Sequence, residues 1–202
     1  MRLFVASFLE PACCEQALAF QQANLAQAYK MVPRKKLHLT FAFIGDVPNH
    51  KLDDLQNDLA QSLHDLHLQK PLEIIFDRVE AWPDWQAPRV IVAVPAKTFA
   101  LEAAGAPIMR AGEVSRAVAA RYGSNQKQDH RLESFKPHIT LIRLKAKCSL
   151  MPKDLKGIDG LILTHRITKI CLVESDIRSH DQAKGNYKII ASVWQPKGQD
   201  RA

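Results

Sequence analysis

The order of apolar and polar positions along the chain predicts alternating strands and helices. Short runs rich in apolar and β-branched residues, typical of strands, are separated by segments in which apolar residues recur every three or four positions, as on a helix face. The clearest helix is predicted over 52–66, where five leucines follow this spacing. Strands are predicted at 2–9, 37–47, 72–79, 89–94, 135–145, 161–165, 170–175 and 187–194, and further helices at 11–29 and 98–122, the latter kinked or split at Pro107.

The second half of the chain repeats the order of elements in the first half. LHLTF at 37–41 and PHITL at 137–141 lie 100 residues apart, and each stands on a predicted strand that follows a predicted helix. No linker rich in Gly, Ser or Pro divides the chain. We therefore expect a single domain over 1–202, built as two similar α+β lobes whose motif strands face each other across a cleft. An exposed loop is expected at 123–133 and a frayed tail after Pro196.

Composition and charge narrow the class of protein. With 47% hydrophobic and 24% charged residues, the chain is an ordinary globular protein and neither collagen-like nor disordered. The formal net charge of +7 favours anionic partners, of which nucleic acid is the commonest. No apolar run is long enough to span a membrane, and Glu10 and Pro11 interrupt the apolar start, which predicts a strand and not a signal peptide. The four cysteines form no CxxC pair, which favours reduced thiols and a cytoplasmic protein.

Two His-x-Thr motifs carry the candidate chemistry: His38 with Thr40, and His138 with Thr140. On a strand, residues i and i+2 project from the same face, so each histidine shares a face with its threonine. Eight histidines and five threonines would give about 0.2 such motifs by chance, whereas the chain has two, both in apolar strands. A single strand histidine is usually structural, but two in matching contexts indicate function.

This set of side chains suits the hydrolysis of a phosphodiester. The reaction needs a base that deprotonates water and an acid that protonates the leaving oxygen, and imidazole, with a reference pKa of about 6.5, serves as either near neutral pH. The hydroxyls of Thr40 and Thr140 can donate hydrogen bonds to the non-bridging phosphate oxygens, whose charge must be held in the transition state. The chemistry requires no metal and no cofactor. Which histidine is the acid is left open by the internal symmetry.

HLTFAFIG at 38–45 and KPHITLIR at 136–143 resemble the paired His-x-Thr motifs of the two-histidine (2H) phosphoesterases. The similarity is greatest to the branch of RNA 2′,3′-cyclic phosphodiesterases, once named 2′-5′ RNA ligases, and it continues in RLFVA, PRVIVAV, VESDI and GNYKII. The resemblance implies a bilobal α+β fold with pseudo-twofold symmetry around a central cleft and a metal-independent site. It also implies hydrolysis of RNA 2′,3′-cyclic phosphate ends to a 2′-phosphomonoester, and we expect a monomer without a membrane partner.

The same resemblance places Phe43 and Arg143 on the two sides of the terminal nucleobase. Each lies five residues after its motif histidine, and an odd offset on a regular strand turns a side chain to the opposite face. A bulge or strong twist is therefore required, which Gly45 facilitates in the first lobe only. In the alternative interpretation, Phe43 belongs to the core, while Arg143 pairs with a carboxylate or binds the phosphate directly.

Other functions and other residues are compatible with parts of this pattern. A phosphodiesterase for a small cyclic nucleotide and a reversible 2′-5′ RNA ligase use related chemistry, whereas a non-catalytic RNA-end-binding module would favour permanently charged Arg and Lys for phosphate. His64 and His67 are expected on a solvated helix face, and the basic residues 34–36 either guide RNA phosphates or form a solvated loop. His130, Arg131 and Lys136 border the second motif and could supply charge at the rim of the site. Trp82 and Trp85 could stack on bases, but covering of the core edge is the favoured interpretation, and Ser175 and Tyr187 are expected to be structural.

Overall fold

The computed structural model describes residues 1–24, 29–99, 102–123, 134–144, 152–176 and 186–196. Most of the predicted loop at 123–133 and the tail from residue 197 lie outside these ranges. The strands are β1 (Arg2–Phe8), β2 (Tyr29–Met31), β3 (His38–Asp46), β4 (Leu72–Phe76), β5 (Arg78–Trp82), β6 (Val90–Val94), β7 (Ile139–Leu144), β8 (Leu163–Ile167), β9 (Ile170–Ser175) and β10 (Tyr187–Trp194). The α-helices are α1 (Pro11–Ala23), α2 (Leu52–His64) and α3 (Gly105–Tyr122), and 3-10 turns lie at Arg34–Lys36, Asn49–Lys51 and Pro152–Asp154.

Antiparallel sheets confirm the predicted α+β class. The main sheet has eight strands in the order β10-β9-β1-β3-β7-β6-β5, with β2 paired to β7, and β4 and β8 form a separate two-stranded sheet. The two motif strands, β3 and β7, are neighbours at the centre, joined by the pair Leu39–Ile139. They were expected to face each other across a cleft but lie side by side, and the two halves of the sheet extend from this junction in opposite directions.

The core lies on the face of the sheet opposite to the motifs. Leu39 and Ile139, one residue after each histidine, are fully buried, as are Phe41 and Leu141. Helix α3 packs against β3, α1 against β7 and β8, and α2 against α3 and β10. Burial of each large apolar side chain stabilises the fold by about 2 kcal/mol. Because strand side chains alternate, the two motif histidines lie on the opposite face of the sheet from this core, which is called the outer face.

Several predicted boundaries differ from those of the structure. The helix predicted at 11–29 ends at Ala23, and the helix predicted to kink at Pro107 begins only at Gly105. Pro107 lies in the first turn of α3, where backbone N–H groups have no hydrogen-bond partner within the helix. Because proline removes no helical hydrogen bond at this position, the helix does not need to kink. The apolar run at 72–79 divides at Asp77 into two strands that belong to different sheets.

His165 on β8 is fully buried beneath the first motif. Its Nε2 lies 3.1 Å from the hydroxyl of Ser7, the β1 residue paired with Leu39. Burial lowers the pKa of His165 from 6.5 to about 4, so the folded state holds the ring neutral. The unfolded chain therefore binds the proton more readily, and His165 reduces the stability of the fold as the pH falls from 6.5 towards 4.

Candidate active site

The pair Leu39–Ile139 brings the two motifs together. Because antiparallel strands run in opposite directions from a shared pair, this pairing directs His38 towards Thr140 and Thr40 towards His138, on the face opposite to the buried Leu39 and Ile139. Directly opposed residues typically have Cβ atoms about 4.5–5.5 Å apart. The sheet thus brings the two motifs side by side on one face, and a phosphate site formed by both histidines and both threonines stays a prediction.

Both imidazoles are oriented by the same backbone contact. Nδ1 of His38 lies 2.6 Å from the carbonyl oxygen of Lys36, and Nδ1 of His138 lies 2.8 Å from that of Lys136. A carbonyl oxygen only accepts, so Nδ1–H is the donor in each ring. Nε2 of each histidine is then the nitrogen left for proton transfer, and it carries a proton only in the imidazolium form.

Burial and positive neighbours favour the neutral form of both histidines. Burial lowers the pKa of His38 to about 4, against the opposing effect of the Lys36 hydrogen bond, while His138 and Arg143 lower it further. The pKa of His138 is also lowered, first by burial and then by Arg143, with the Lys136 hydrogen bond acting in the opposite direction. A bound phosphate anion would offset the positive charge of Arg143 and make protonation of one ring more favourable.

A β-bulge follows each motif and explains how Phe43 and Arg143, five residues after their motif histidines, return to the histidine face. On β3, Thr40 pairs with Ala6 and Ala42 with Val5, so Phe41 is the extra residue. On β7, Thr140 pairs with Val92 and Ile142 with Ile91, so Leu141 is the extra residue. One extra residue reverses the alternation, which returns the fifth residue to the histidine face. Gly45, with φ of 85°, follows a second irregularity on β3.

The ring contact of Phe43 and the strand register of Arg143 place both residues on the motif face. Phe43 is 65% exposed and its ring lies 6.2 Å from that of Phe4, so it is not a core residue. The Arg143 guanidinium lowers the pKa of His38, His138 and Tyr187, which places its charge near all three rings. Within the described ranges, no carboxylate forms an ion pair with Arg143.

Known proteins have sequences related to that of this chain. Residues 9–92 match the family model described as LigT like Phosphoesterase. An RNA 2′,3′-cyclic phosphodiesterase from Thermus thermophilus is 34% identical over 164 residues, which cover 79% of this chain and 76% of that protein. The chain belongs to the LigT-like phosphoesterase family. An RNA 2′,3′-cyclic phosphodiesterase from Archaeoglobus fulgidus is 27% identical over 149 residues, covering 73% of this chain and 74% of the relative.

Solved structures confirm the fold of this LigT-like phosphoesterase. The protein TT0787 of Thermus thermophilus has a TM-score of 0.70 at 25% identity, covering 95% of this chain and 96% of its own. LigT of E. coli, solved in complex with 3′-AMP, has a TM-score of 0.67 at 24% identity, covering 97% of this chain and 98% of its own. The resemblance inferred from the two motifs is therefore confirmed at the level of family and fold.

Two aromatic residues of this LigT-like phosphoesterase lie in the site although their sequence context did not indicate it. The Tyr187 ring stands edge-on to His38 with centroids 5.5 Å apart, and the Trp82 ring lies 4.4 Å from that of His138. Both were interpreted as structural or core-covering residues. They come from the edge strands β10 and β5. Two strands, β9 and β1, separate β10 from β3, and one strand, β6, separates β5 from β7, so only the register across these strands reveals which motif histidine each ring contacts.

The basic residues that precede the first motif have other partners in this LigT-like phosphoesterase. Arg34 forms an ion pair with Glu15, and Lys35 lies 3.5 Å from the side-chain oxygen of Asn186. Lys36 is 4% exposed, with its ammonium 5.3 Å from the Tyr187 ring centroid. His130 and Arg131 lie outside the described residues.

His64 ends α2, and its ring centroid lies 6.3 Å from that of His67. Both side chains are exposed as expected, but His67 lies three residues beyond the helix, in a turn with φ of 53°, and not on the helix face. In the part of the chain that the structure describes, no group of three or more His, Cys, Asp or Glu side chains is placed to hold a metal ion. No helix among the described residues is long and apolar enough to cross a membrane.

Proposed function

We propose that the protein hydrolyses 2′,3′-cyclic phosphates at RNA 3′ ends, or on nucleotides, to 2′-phosphomonoesters without a metal ion. The observation that carries this proposal is the pairing of Leu39 with Ile139, which sets His38 and His138 on one face with both Nε2 atoms available. Two curated relatives are named RNA 2′,3′-cyclic phosphodiesterase, which supports the substrate class.

Each histidine has one proton-transfer role in this mechanism. A neutral imidazole takes a proton from water at Nε2, and the water oxygen forms the new bond to phosphorus. The bond between phosphorus and the 3′ oxygen breaks, and the imidazolium of the other histidine gives its proton to that oxygen. The product is a 2′-phosphomonoester with a free 3′ hydroxyl. The symmetric Nδ1 contacts are compatible with either assignment of acid and base.

Negative charge on the phosphate is stabilised by the chain's own groups. The hydroxyls of Thr40 and Thr140 donate hydrogen bonds to the non-bridging oxygens, and the nearby Arg143 guanidinium adds a permanent positive charge. Because these groups bind the phosphate and the imidazoles transfer both protons, the mechanism needs neither a metal ion nor a cofactor.

Phe43 and Arg143 bind the terminal nucleobase in this proposal. Both present flat surfaces on the motif face, and flat surfaces stack on any base without selecting its identity. The proposal is for a single-domain monomer of the cytoplasm; the buried free thiols of Cys13, Cys14 and Cys171 are compatible with a reducing compartment.

An oligonucleotide that ends in a 2′,3′-cyclic phosphate tests this function when it is incubated with the protein in EDTA. We expect conversion to a 2′-phosphate at the same rate as without the chelator, measured by chromatography of the products. Binding without conversion would identify an RNA-end-binding module, and joining of ends through a 2′-5′ linkage would identify a ligase. Loss of conversion in EDTA, restored by a divalent ion, would contradict the metal-independent mechanism.

A further inference from the structure

Trp82 packs directly on the second catalytic histidine. Its ring centroid lies 4.4 Å from that of His138, with the two planes at 56°. Trp82 ends the edge strand β5 and pairs with Val90, which in turn pairs with Arg143. Directly opposed residues share a face, so this cross-strand row carries the indole onto the same face as the motifs.

The indole is anchored at its polar edge by a chain of hydrogen bonds along β5. Nε1 of Trp82 donates to Oε2 of Glu80 over 3.0 Å, and Oε1 of Glu80 accepts from Nη1 of Arg78 over 2.9 Å. Arg78 is itself fixed, because its Nε and Nη2 donate to the carbonyl oxygen of Pro95 over 3.2 and 2.8 Å. These three side chains occupy alternate positions of one strand, so the chain follows a single face.

The two catalytic rings differ in what holds them. His38 has the rings of Phe4, Phe8 and Tyr187 within 5.8 Å of its own. Within the described ranges, His138 has one aromatic neighbour, Trp82. A single hydrogen bond at Nδ1 leaves an imidazole free to tilt about that contact, and a second contact is needed to fix the plane and with it the direction of Nε2.

We propose that Trp82 is the positioning residue of His138: anchored by Glu80 and Arg78, its indole fixes the imidazole plane and directs Nε2 at the phosphate. This inference rests on the proposed function for its effect on turnover. Its effect on the imidazole does not depend on any substrate. A displacement of about 1 Å at a reacting group can lower a rate about 100-fold, which makes such a contact kinetically important.

The indole also covers part of the His138 ring. Burial is the largest cause of the lowered pKa of His138, and Arg143 is the charged group that lowers it further. His38 is the other titratable group that interacts with this ring, while the Glu80–Arg78 ion pair lies behind the indole. Removal of the indole should therefore move the pKa of His138 towards its ordinary value, with Arg143 unchanged.

The experiment compares Trp82→Ala, Trp82→Phe and Glu80→Ala with wild type. Trp85→Phe is the matched control, because Trp85 lies in the loop that joins β5 to β6. Steady-state kinetics on a dinucleotide 2′,3′-cyclic phosphate give kcat and KM, and NMR of the imidazole signals gives the titration of His138 without substrate. For Trp82→Ala we expect kcat to fall about 10-fold to 100-fold, KM to change less than about 3-fold, and the pKa of His138 to rise. Trp82→Phe and Glu80→Ala should lie between this variant and wild type, and Trp85→Phe should match wild type.

The two readouts separate this proposal from the proposed function. An unchanged His138 titration together with an unchanged kcat in folded Trp82→Ala would overturn the positioning role. A rise in KM alone would also overturn it and would make Trp82 a substrate contact. If wild type does not hydrolyse the cyclic phosphate but Trp82→Ala still shifts the His138 titration, the proposed function fails while the contact to His138 stands. Trp82→Phe, which keeps an aromatic ring, serves as the folded variant if Trp82→Ala does not fold.

Discussion

Replacing either His38 or His138 by alanine is expected to lower kcat on a 2′,3′-cyclic phosphate about 10²–10⁴-fold, the usual contribution of a general acid or base. Each ring has one proton-transfer role, so neither histidine can replace the other. The double variant should be little slower than either single variant, because groups that act as a unit are not additive. Single-turnover rates with excess enzyme measure the chemical step directly.

His64→Ala is the matched control for these variants, because His64 lies on α2, away from the motifs, and its side chain is 65% exposed. It should keep the wild-type rate. Circular dichroism should show an unchanged fold for all variants, since both motif histidines lie on the outer face and the core is formed by the alternate residues. Near-normal turnover of His38→Ala or His138→Ala on every cyclic phosphate tested would show that the acid–base pair is assigned wrongly.

The second large effect is expected at Phe43. Stacking of a base on an aromatic ring contributes about 1–3 kcal/mol, so Phe43→Ala should raise KM for RNA ends of any sequence about 5-fold to 150-fold, with a small change in kcat. A ribose 2′,3′-cyclic phosphate without a base should be hydrolysed almost normally, because it makes no contact with the ring. Comparing kcat/KM on the two substrates isolates the contact to the base.

A second exposed apolar residue provides the control for Phe43. Ile75 is 47% exposed and lies on β4 in the small sheet, so Ile75→Ala should leave both substrates unaffected. Equal loss on the RNA end and on the base-free substrate in Phe43→Ala would contradict base stacking. That result would assign Phe43 to the fold or to the chemistry.

The local structure of the motifs could be predicted from the sequence because it depends on strand periodicity alone. His38 and Thr40 share a face for this reason, and the odd offset of Phe43 and Arg143 required the bulges found at Phe41 and Leu141. The pairing of Leu39 with Ile139 depends on contacts between distant segments, and no local pattern specifies whether two strands pair or face each other.

Residues two strands away from the motifs could not be assigned for the same physical reason. Trp82 reaches His138 through the register of β5 with β6 and of β6 with β7, and the sequence specifies neither register. The division of the apolar run at Asp77 was also missed, because two consecutive strands of similar composition have the same pattern as one longer strand. The features that could not be predicted are therefore mostly those that depend on pairing between strands distant in sequence.

The pH dependence of turnover tests the paired-histidine mechanism most directly. One ring must be neutral and the other protonated, and both pKa values are lowered in the free protein, that of His38 to about 4. We therefore expect a bell-shaped kcat/KM with its maximum below about pH 6.5, and a kcat maximum at higher pH, because the bound phosphate raises the pKa of the ring it contacts. The measurement covers about pH 3 to 8.5 in EDTA, with circular dichroism to confirm folding at the acid end. A profile that is flat across this range, with chemistry rate-limiting, would contradict acid–base catalysis by His38 and His138.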